Sequence, residues 1–180
     1  MTSPTNRDPE VQALLDKQAI REVVVRYFRG LDRGDGAMIQ STYHPDAVAE
    51  HGDRTLRGPT IGEQTVVWMG GEMNVVGGIH YVLNQTITLN GDSAGSETYF
   101  LVLMLESKDG VERTLQTTGR FLDRLERRNG EWKIVHRVIM PEAVGYLPAG
   151  LRWMSARMRY DGSDAADRSY EFLGAVRENA

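Results

Sequence analysis

Residues 79–140 read IHYVLNQTITLNGDSAGSETYFLVLMLESKDGVERTLQTTGRFLDRLERRNGEWKIVHRVIM, and within them apolar and polar side chains alternate in four runs. The runs cover 79–89, 95–107, 111–127 and 131–140. The segments between them contain Asn90-Gly91-Asp92, Asp109-Gly110 and Asn129-Gly130. Such residues supply the positive φ angles that tight hairpin turns need. The stretch therefore predicts four consecutive antiparallel strands.

The residues before this stretch have a helical pattern. Apolar side chains recur every three or four positions at Ile20, Val23, Val24, Tyr27, Phe28 and Leu31. This spacing predicts a first helix that begins near Val11 and ends at Gly34, a typical C-terminal stop. Two shorter helices are predicted at roughly 36–43 and 59–69, and short strands at 46–51 and 54–58.

Helices followed by strands predict an α+β fold, with three N-terminal helices packed on a curved, mainly antiparallel sheet of about six strands. A helix against a bent sheet leaves a cavity at the open end, where a small ligand is commonly held. We divide the chain into a flexible arm (1–10), this domain (11–140) and a helical C-terminal extension (141–180). The extension could cover the cavity or bind a second subunit.

Composition excludes several classes of function. The chain has 180 residues, a net charge of −4 and no cysteine. It therefore has no strong basic field for nucleic acid, and it cannot form a disulfide or a thiolate-ligated metal site. The four histidines lack the spacing of common metal sites, so we predict no metal and no cofactor. The polar N-terminus and the lack of a long apolar run predict a cytoplasmic protein without membrane contact.

Asp32 and His80 are the first candidates for chemistry. Asp32 continues the apolar stripe of the first helix beyond Phe28, where a carboxylate would be partly desolvated. His80 stands at the start of the first long strand, after a Gly-Gly pair, where it could reach the mouth of a cavity. Separately, each could be an ordinary solvated or structural residue. Together, the aspartate could orient the imidazole as a general base.

Four segments carry a resemblance to a known family. They are DKQAIREVVVRYFRGLDRGD at 16–35, YHPDAV at 43–48, IHY at 79–81 and GRFLDRLERRNGEWKIVHR at 119–137. Their order and spacing resemble the SnoaL-like branch of the nuclear-transport-factor-2-like superfamily over residues 11–140. The resemblance implies a cone-shaped α+β barrel with a deep apolar pocket, assembled as a homodimer or homotrimer.

Within that superfamily the chain is most similar to scytalone dehydratase, hexachlorocyclohexane dehydrochlorinase and bile-acid 7-alpha dehydratase. Those lyases use an aspartate at the end of the first helix and a histidine on the first long strand, which Asp32 and His80 match. Tyr27 matches a tyrosine of the bile-acid enzyme. An acid on that enzyme's second long strand is replaced by an apolar residue near Val102. The arginine-rich tail after residue 148 matches nothing, so substrate identity does not transfer.

The resulting hypothesis is a dehydratase-like lyase, or an isomerase, acting on a small hydrophobic or polycyclic molecule such as a steroid or polyketide. Asp32, His80 and Tyr27 would carry the reaction. The candidate substrate-binding residues are His51, Trp68 and Tyr99 as pocket walls and Asn84 and Arg137 as polar anchors. A non-catalytic binding or assembly domain and the small subunit of an oxygenase remain the alternatives.

Overall fold

The computed structural model describes residues 8–147 together with Ser169 and Leu173. It contains three helices, α1 (Pro9–Arg33), α2 (Gly36–Ser41) and α3 (Ile61–Gly71). Six strands complete it: β1 (Tyr43–His51), β2 (Arg54–Arg57), β3 (Val75–Asn90), β4 (Ser93–Lys108), β5 (Val111–Arg128) and β6 (Glu131–Tyr146). The predicted α+β class is confirmed. No helix among these residues is long and apolar enough to span a membrane.

Helix α1 forms because its apolar residues line one face and both of its ends are capped. The Asp8 carboxylate accepts a hydrogen bond from the Glu10 backbone N–H at 2.8 Å. At the other end Gly34 adopts the left-handed conformation with φ 58°. The helix continues through Gly30, where a side chain would collide with Ile39 of α2. It therefore includes Asp32, which lies in its last turn.

Strands β3 to β6 form the predicted antiparallel meander. Both residues of its second and third turns have positive φ, namely Asp109, Gly110, Asn129 and Gly130. These angles fit two-residue hairpins whose twist matches that of the flanking strands. The strand order across the sheet is β2-β1-β6-β5-β4-β3.

The sheet is mixed and open. Strand β1 pairs with β6 in parallel and with β2 in antiparallel fashion. The sheet is curved but not closed, since β2 and β3 form its two edges. The helices cover one face, and the core between helices and sheet includes Ile20, Val24, Phe100, Phe121 and Ile134. The predicted barrel is therefore a half-open cone whose interior lies beside α1.

Several predicted boundaries were wrong. Strand β1 begins at Tyr43, three residues before the predicted start at 46, and therefore includes His44 and Pro45. Strand β6 continues six residues beyond the predicted end at 140. Pro141 fits there because it faces Gly119 at a register shift and lies past the last pairing of β6 with β1 at Ile139.

The two terminal segments fall mostly outside the described residues. Of the flexible arm, only residues 8–10 are described, and two of these belong to α1. Of the C-terminal extension, residues 141–146 belong to β6. Farther along, the Ser169 hydroxyl accepts a hydrogen bond from Arg29 of α1 at 3.0 Å. The division into arm, domain and extension stays a prediction.

Candidate active site

Asp32 and His80 are in direct contact. The Asp32 Oδ1 atom lies 2.7 Å from His80 Nδ1 and also accepts the backbone N–H of His80 at 2.9 Å. The side chain of His80 is 6% exposed and that of Asp32 is 17% exposed. Because one carboxylate oxygen binds both the ring and the backbone of the same residue, the imidazole is held in one orientation. Its Nε2 atom is the nitrogen left for another partner.

Local structure explains why these residues meet. Asp32 lies one helical turn beyond Phe28, on the side of α1 that faces β3. The Phe28 ring packs against the His80 ring with the centroids 5.4 Å apart. The apolar stripe of α1 thus covers the imidazole, and the carboxylate at the edge of that stripe reaches it.

His80 lines a cavity of about 250 Å³ between the helices and the sheet. Its walls are mainly aromatic, aliphatic and methionine side chains. The lining residues are Tyr27, Leu31, His51, Thr65, Trp68, Met69, Met73, His80, Phe100, Val102, Met104, Leu115, Thr117, Phe121, Ile139, Pro141 and Val144. The arrangement is an apolar pocket with a buried histidine in its wall, which matches the usual composition of small-molecule sites.

Tyr27 lies in the cavity wall, and its ring packs against the buried Arg137–Asp123 ion pair. The Arg137 guanidinium carbon is 4.0 Å from the centroid of the Tyr27 ring. Two charge-assisted hydrogen bonds, of 2.6 and 2.7 Å, join Arg137 to Asp123. Burial raises the pKa of the Tyr27 hydroxyl, although Arg137 opposes this effect. Tyr27 therefore stays protonated and can donate a hydrogen bond.

His51 and Trp68 lie in another part of the cavity wall. Their rings meet edge to face with centroids 5.4 Å apart. The Nε2 atom of His51 is buried without a hydrogen-bond partner in the described part of the chain. Desolvation, assisted by the positive charge of Arg137, lowers the pKa of His51 to about 4. The imidazole is therefore neutral near pH 7.

The structure places Asn84 and Tyr99 away from the cavity, contrary to the predicted roles. A register shift between Val82 and Gln85 interrupts the alternation of β3, so the face shared by His80 and Val82 does not continue to Asn84. Asn84 is exposed. Tyr99 lies on the other face of β4 from cavity-lining Phe100, and its ring contacts the Arg120 guanidinium.

Arg137 also differs from its predicted role. It is fully buried and does not line the cavity, because Asp123 and the Tyr27 ring enclose its guanidinium. Sequence analysis missed Asp123. A signal for it exists, since Asp123 falls between Phe121 and Leu125 on the apolar face of β5. A carboxylate at such a position needs a cationic partner.

His51 makes a pH dependence of stability testable. The folded pKa of about 4 lies below the ordinary value of 6.5, so between these values the unfolded chain binds a proton that the folded chain does not. The free energy of unfolding therefore falls as the pH drops from about 7 to 4, and His51 contributes up to about 3 kcal/mol to this loss. We expect His51→Leu to remove that portion of the pH dependence, as measured by urea unfolding at several pH values. Parallel wild-type and variant curves would contradict the expectation.

No group of three metal-ligating side chains occurs among residues 8–147, Ser169 and Leu173. The polar groups of the site are the Asp32–His80 pair, the neutral His51 and the hydroxyls of Tyr27, Thr65 and Thr117. Thr65 donates its hydroxyl hydrogen to the Ile61 carbonyl. The set can accept or donate a proton at His80 and offer hydrogen bonds to a neutral molecule.

Comparison with solved structures finds the same fold at low sequence identity. A hexachlorocyclohexane dehydrochlorinase from Novosphingobium barchaimii superposes with a TM-score of 0.68 at 19% identity, covering 81% of this chain and 99% of that one. A Novosphingobium aromaticivorans protein with a proposed assignment as a scytalone dehydratase gives 0.66 at 16%, covering 77% and 91%. A Mycobacterium tuberculosis protein of unknown function gives 0.63 at 20%, covering 95% and 94%.

Comparison with curated proteins finds no match. The family model for the SnoaL-like domain matches residues 12–138, from the first turns of α1 to the middle of β6. This range holds the helices, the whole meander up to that point and both members of the Asp32–His80 pair. The predicted family is therefore confirmed, and the chain belongs to the SnoaL-like domain family.

Proposed function

We propose that this protein is a cofactor-independent acid/base enzyme that eliminates water or another leaving group from a small hydrophobic molecule. The observation that carries the proposal is the hydrogen-bonded Asp32–His80 pair in the wall of an apolar cavity. A general base needs a free nitrogen near the substrate and a fixed ring orientation. The contact with Asp32 fixes the ring of a histidine that lines the cavity and leaves its Nε2 atom for this role.

In this reaction His80 Nε2 removes a proton from a substrate carbon. The electrons of the broken C–H bond form a C=C bond, and the leaving group departs with the electrons of its own bond to carbon. Asp32 accepts the Nδ1–H, which selects the tautomer with a free Nε2 and stabilises the imidazolium that forms. Isomerisation would use the same proton removal and return the proton to another carbon.

Tyr27 is the proposed hydrogen-bond donor to the leaving group or to a substrate carbonyl. Tyr27 lines the cavity, and its buried hydroxyl has Arg137 and Tyr43 as polar neighbours. Arg137 does not touch the cavity, but its guanidinium fixes the Tyr27 ring from behind. We therefore assign Arg137 as a positioning residue.

A binding protein without catalytic activity is the second candidate. The largely apolar cavity favours it, since such walls would hold a hydrophobic molecule without chemistry. The two candidates differ in the role of His80. In the enzyme His80 removes a proton from the substrate, whereas in the binding protein it is only a part of the cavity wall.

The test is a screen of small cyclic β-hydroxy ketones, including steroid and polyketide-like members, with detection of the conjugated product by ultraviolet absorbance. We expect wild-type turnover and a loss of about 10²–10⁴-fold in His80→Ala. The matched control is His136→Ala, because His136 also binds a carboxylate, that of Glu50 at 2.6 Å, but lies outside the cavity. Equal rates in wild type and His80→Ala, or binding without turnover, would overturn the proposal.

Sedimentation of the same samples would test the predicted dimer or trimer.

A further inference from the structure

The cavity has no charged side chain of fixed sign in its described lining. None of the lining residues is Asp, Glu, Lys or Arg. The nearby cation of Arg137 is turned away, since it is fully buried and forms two hydrogen bonds with Asp123. Asp32, behind His80, would repel an anion. A charged ligand would therefore lose its hydration without gaining a counter-ion, so the cavity favours uncharged molecules.

The size of the cavity limits the ligand further. Its volume of about 250 Å³ is larger than the roughly 150 Å³ cavity that binds benzene. It is smaller than the range of about 300–1,000 Å³ that is typical for drug-sized ligands. One or two rings fit this interval better than the four rings of a steroid.

His51 lies in the cavity wall, far across the sheet from the reacting pair. It ends β1, whereas His80 is on β3, and strands β6, β5 and β4 lie between them. Its Nε2 atom is buried and lacks a hydrogen bond within the described residues. An unpaired buried nitrogen costs free energy that a ligand can recover. A hydroxyl group suits it, because a hydroxyl can donate to or accept from either tautomer of a neutral imidazole.

We propose that the cavity takes an uncharged molecule of one or two rings that carries a hydroxyl group, and that His51 recognises this hydroxyl. The inference rests on the proposed function only in taking the cavity as the substrate site. It makes His51 a residue that determines specificity, separate from the base His80.

The test measures binding of three probes of one shape by titration calorimetry at pH 7: indane, 5-indanol and indane-5-carboxylate. We expect wild type to bind 5-indanol about 10-fold more tightly than indane, and to bind the carboxylate at least about 10-fold more weakly than indane. His51→Leu should lose the preference for the hydroxyl, and His51→Gln, which keeps a hydrogen-bonding group, should retain part of it. Circular dichroism at pH 7 confirms that each variant is folded.

His80→Ala separates this inference from the proposed function. We expect it to keep the preference for 5-indanol over indane, even where turnover is lost. A preference that survives in His51→Leu but disappears in His80→Ala would overturn the assignment to His51. Failure of wild type to bind 5-indanol, or equal binding of the carboxylate, would overturn the proposed ligand class. Neither result depends on whether the lyase reaction is found.

Discussion

Replacing Asp32 with asparagine is expected to lower kcat by about 10²–10⁴-fold and to leave KM within a few-fold of wild type. The amide keeps the shape of the carboxylate but carries no charge, so it cannot stabilise the imidazolium. Its remaining oxygen can still accept both the backbone N–H and the Nδ1–H of His80, so the ring keeps its orientation and only the charge is lost. The loss should therefore fall on the chemical step and not on binding.

Two measurements separate this effect from a structural one. Nitrogen-15 spectra of the His80 ring should show the proton on Nδ1 in both wild type and Asp32→Asn, because the amide oxygen still accepts it. Glu50→Gln is the matched control, since Glu50 binds His136 at 2.6 Å on the surface, and it should change neither kcat nor the His80 signals. A wild-type kcat in Asp32→Asn would contradict the proposal that the Asp32 charge stabilises a His80 imidazolium.

The sequence predicted the local features well because local residues determine them. Asp109-Gly110 and Asn129-Gly130 adopt the positive φ angles that their residue types favour. These turns make consecutive strands of the meander antiparallel neighbours, whatever the sheet packs against. Gly34 ends α1 for the same kind of reason. These features need no knowledge of the tertiary structure.

Contacts between distant elements could not be obtained in this way. Asp32 and His80 are 48 residues apart, and their meeting depends on where α1 ends relative to β3. Periodicity gives each residue a face but no partner, so the pair was a hypothesis from side-chain chemistry that the family resemblance strengthened. The proposal for Asn84 failed for a related reason, because strict alternation was extended through a register shift that the residue pattern does not reveal.

The Asp123–Arg137 ion pair beneath Tyr27 could be predicted from the sequence only in part. Strict alternation in β6 lets only one of the neighbours His136 and Arg137 point inward, and in the structure this is Arg137. Asp123 could have been named as its partner, since both carry charge at positions where their strands are apolar. Their direct pairing in register across β5 and β6 required the structure.

Replacing Asp123 with leucine is expected to lower the free energy of unfolding by about 3–5 kcal/mol, since Arg137 would remain charged and buried without a counter-ion. Burial disfavours the charged guanidinium, but the Asp123 carboxylate outweighs this effect and keeps the pKa of Arg137 raised. Both side chains are 0% exposed, so water cannot replace the lost partner. Urea unfolding measures the change. Glu97→Gln is the control, because its ion pair with Arg120 is partly exposed and should contribute less than about 1 kcal/mol.

The double variant Asp123→Leu/Arg137→Met distinguishes what the pair does for stability from what it does for the site. Apolar residues of similar volume commonly replace a buried ion pair at little cost, so we expect most of the lost stability to return. Turnover should stay low, because the Tyr27 ring loses the guanidinium 4.0 Å beneath it and with it a fixed position in the cavity wall. Recovery of both stability and turnover would show that the pair serves packing alone. A stable Asp123→Leu single variant would contradict the enclosed position of Arg137.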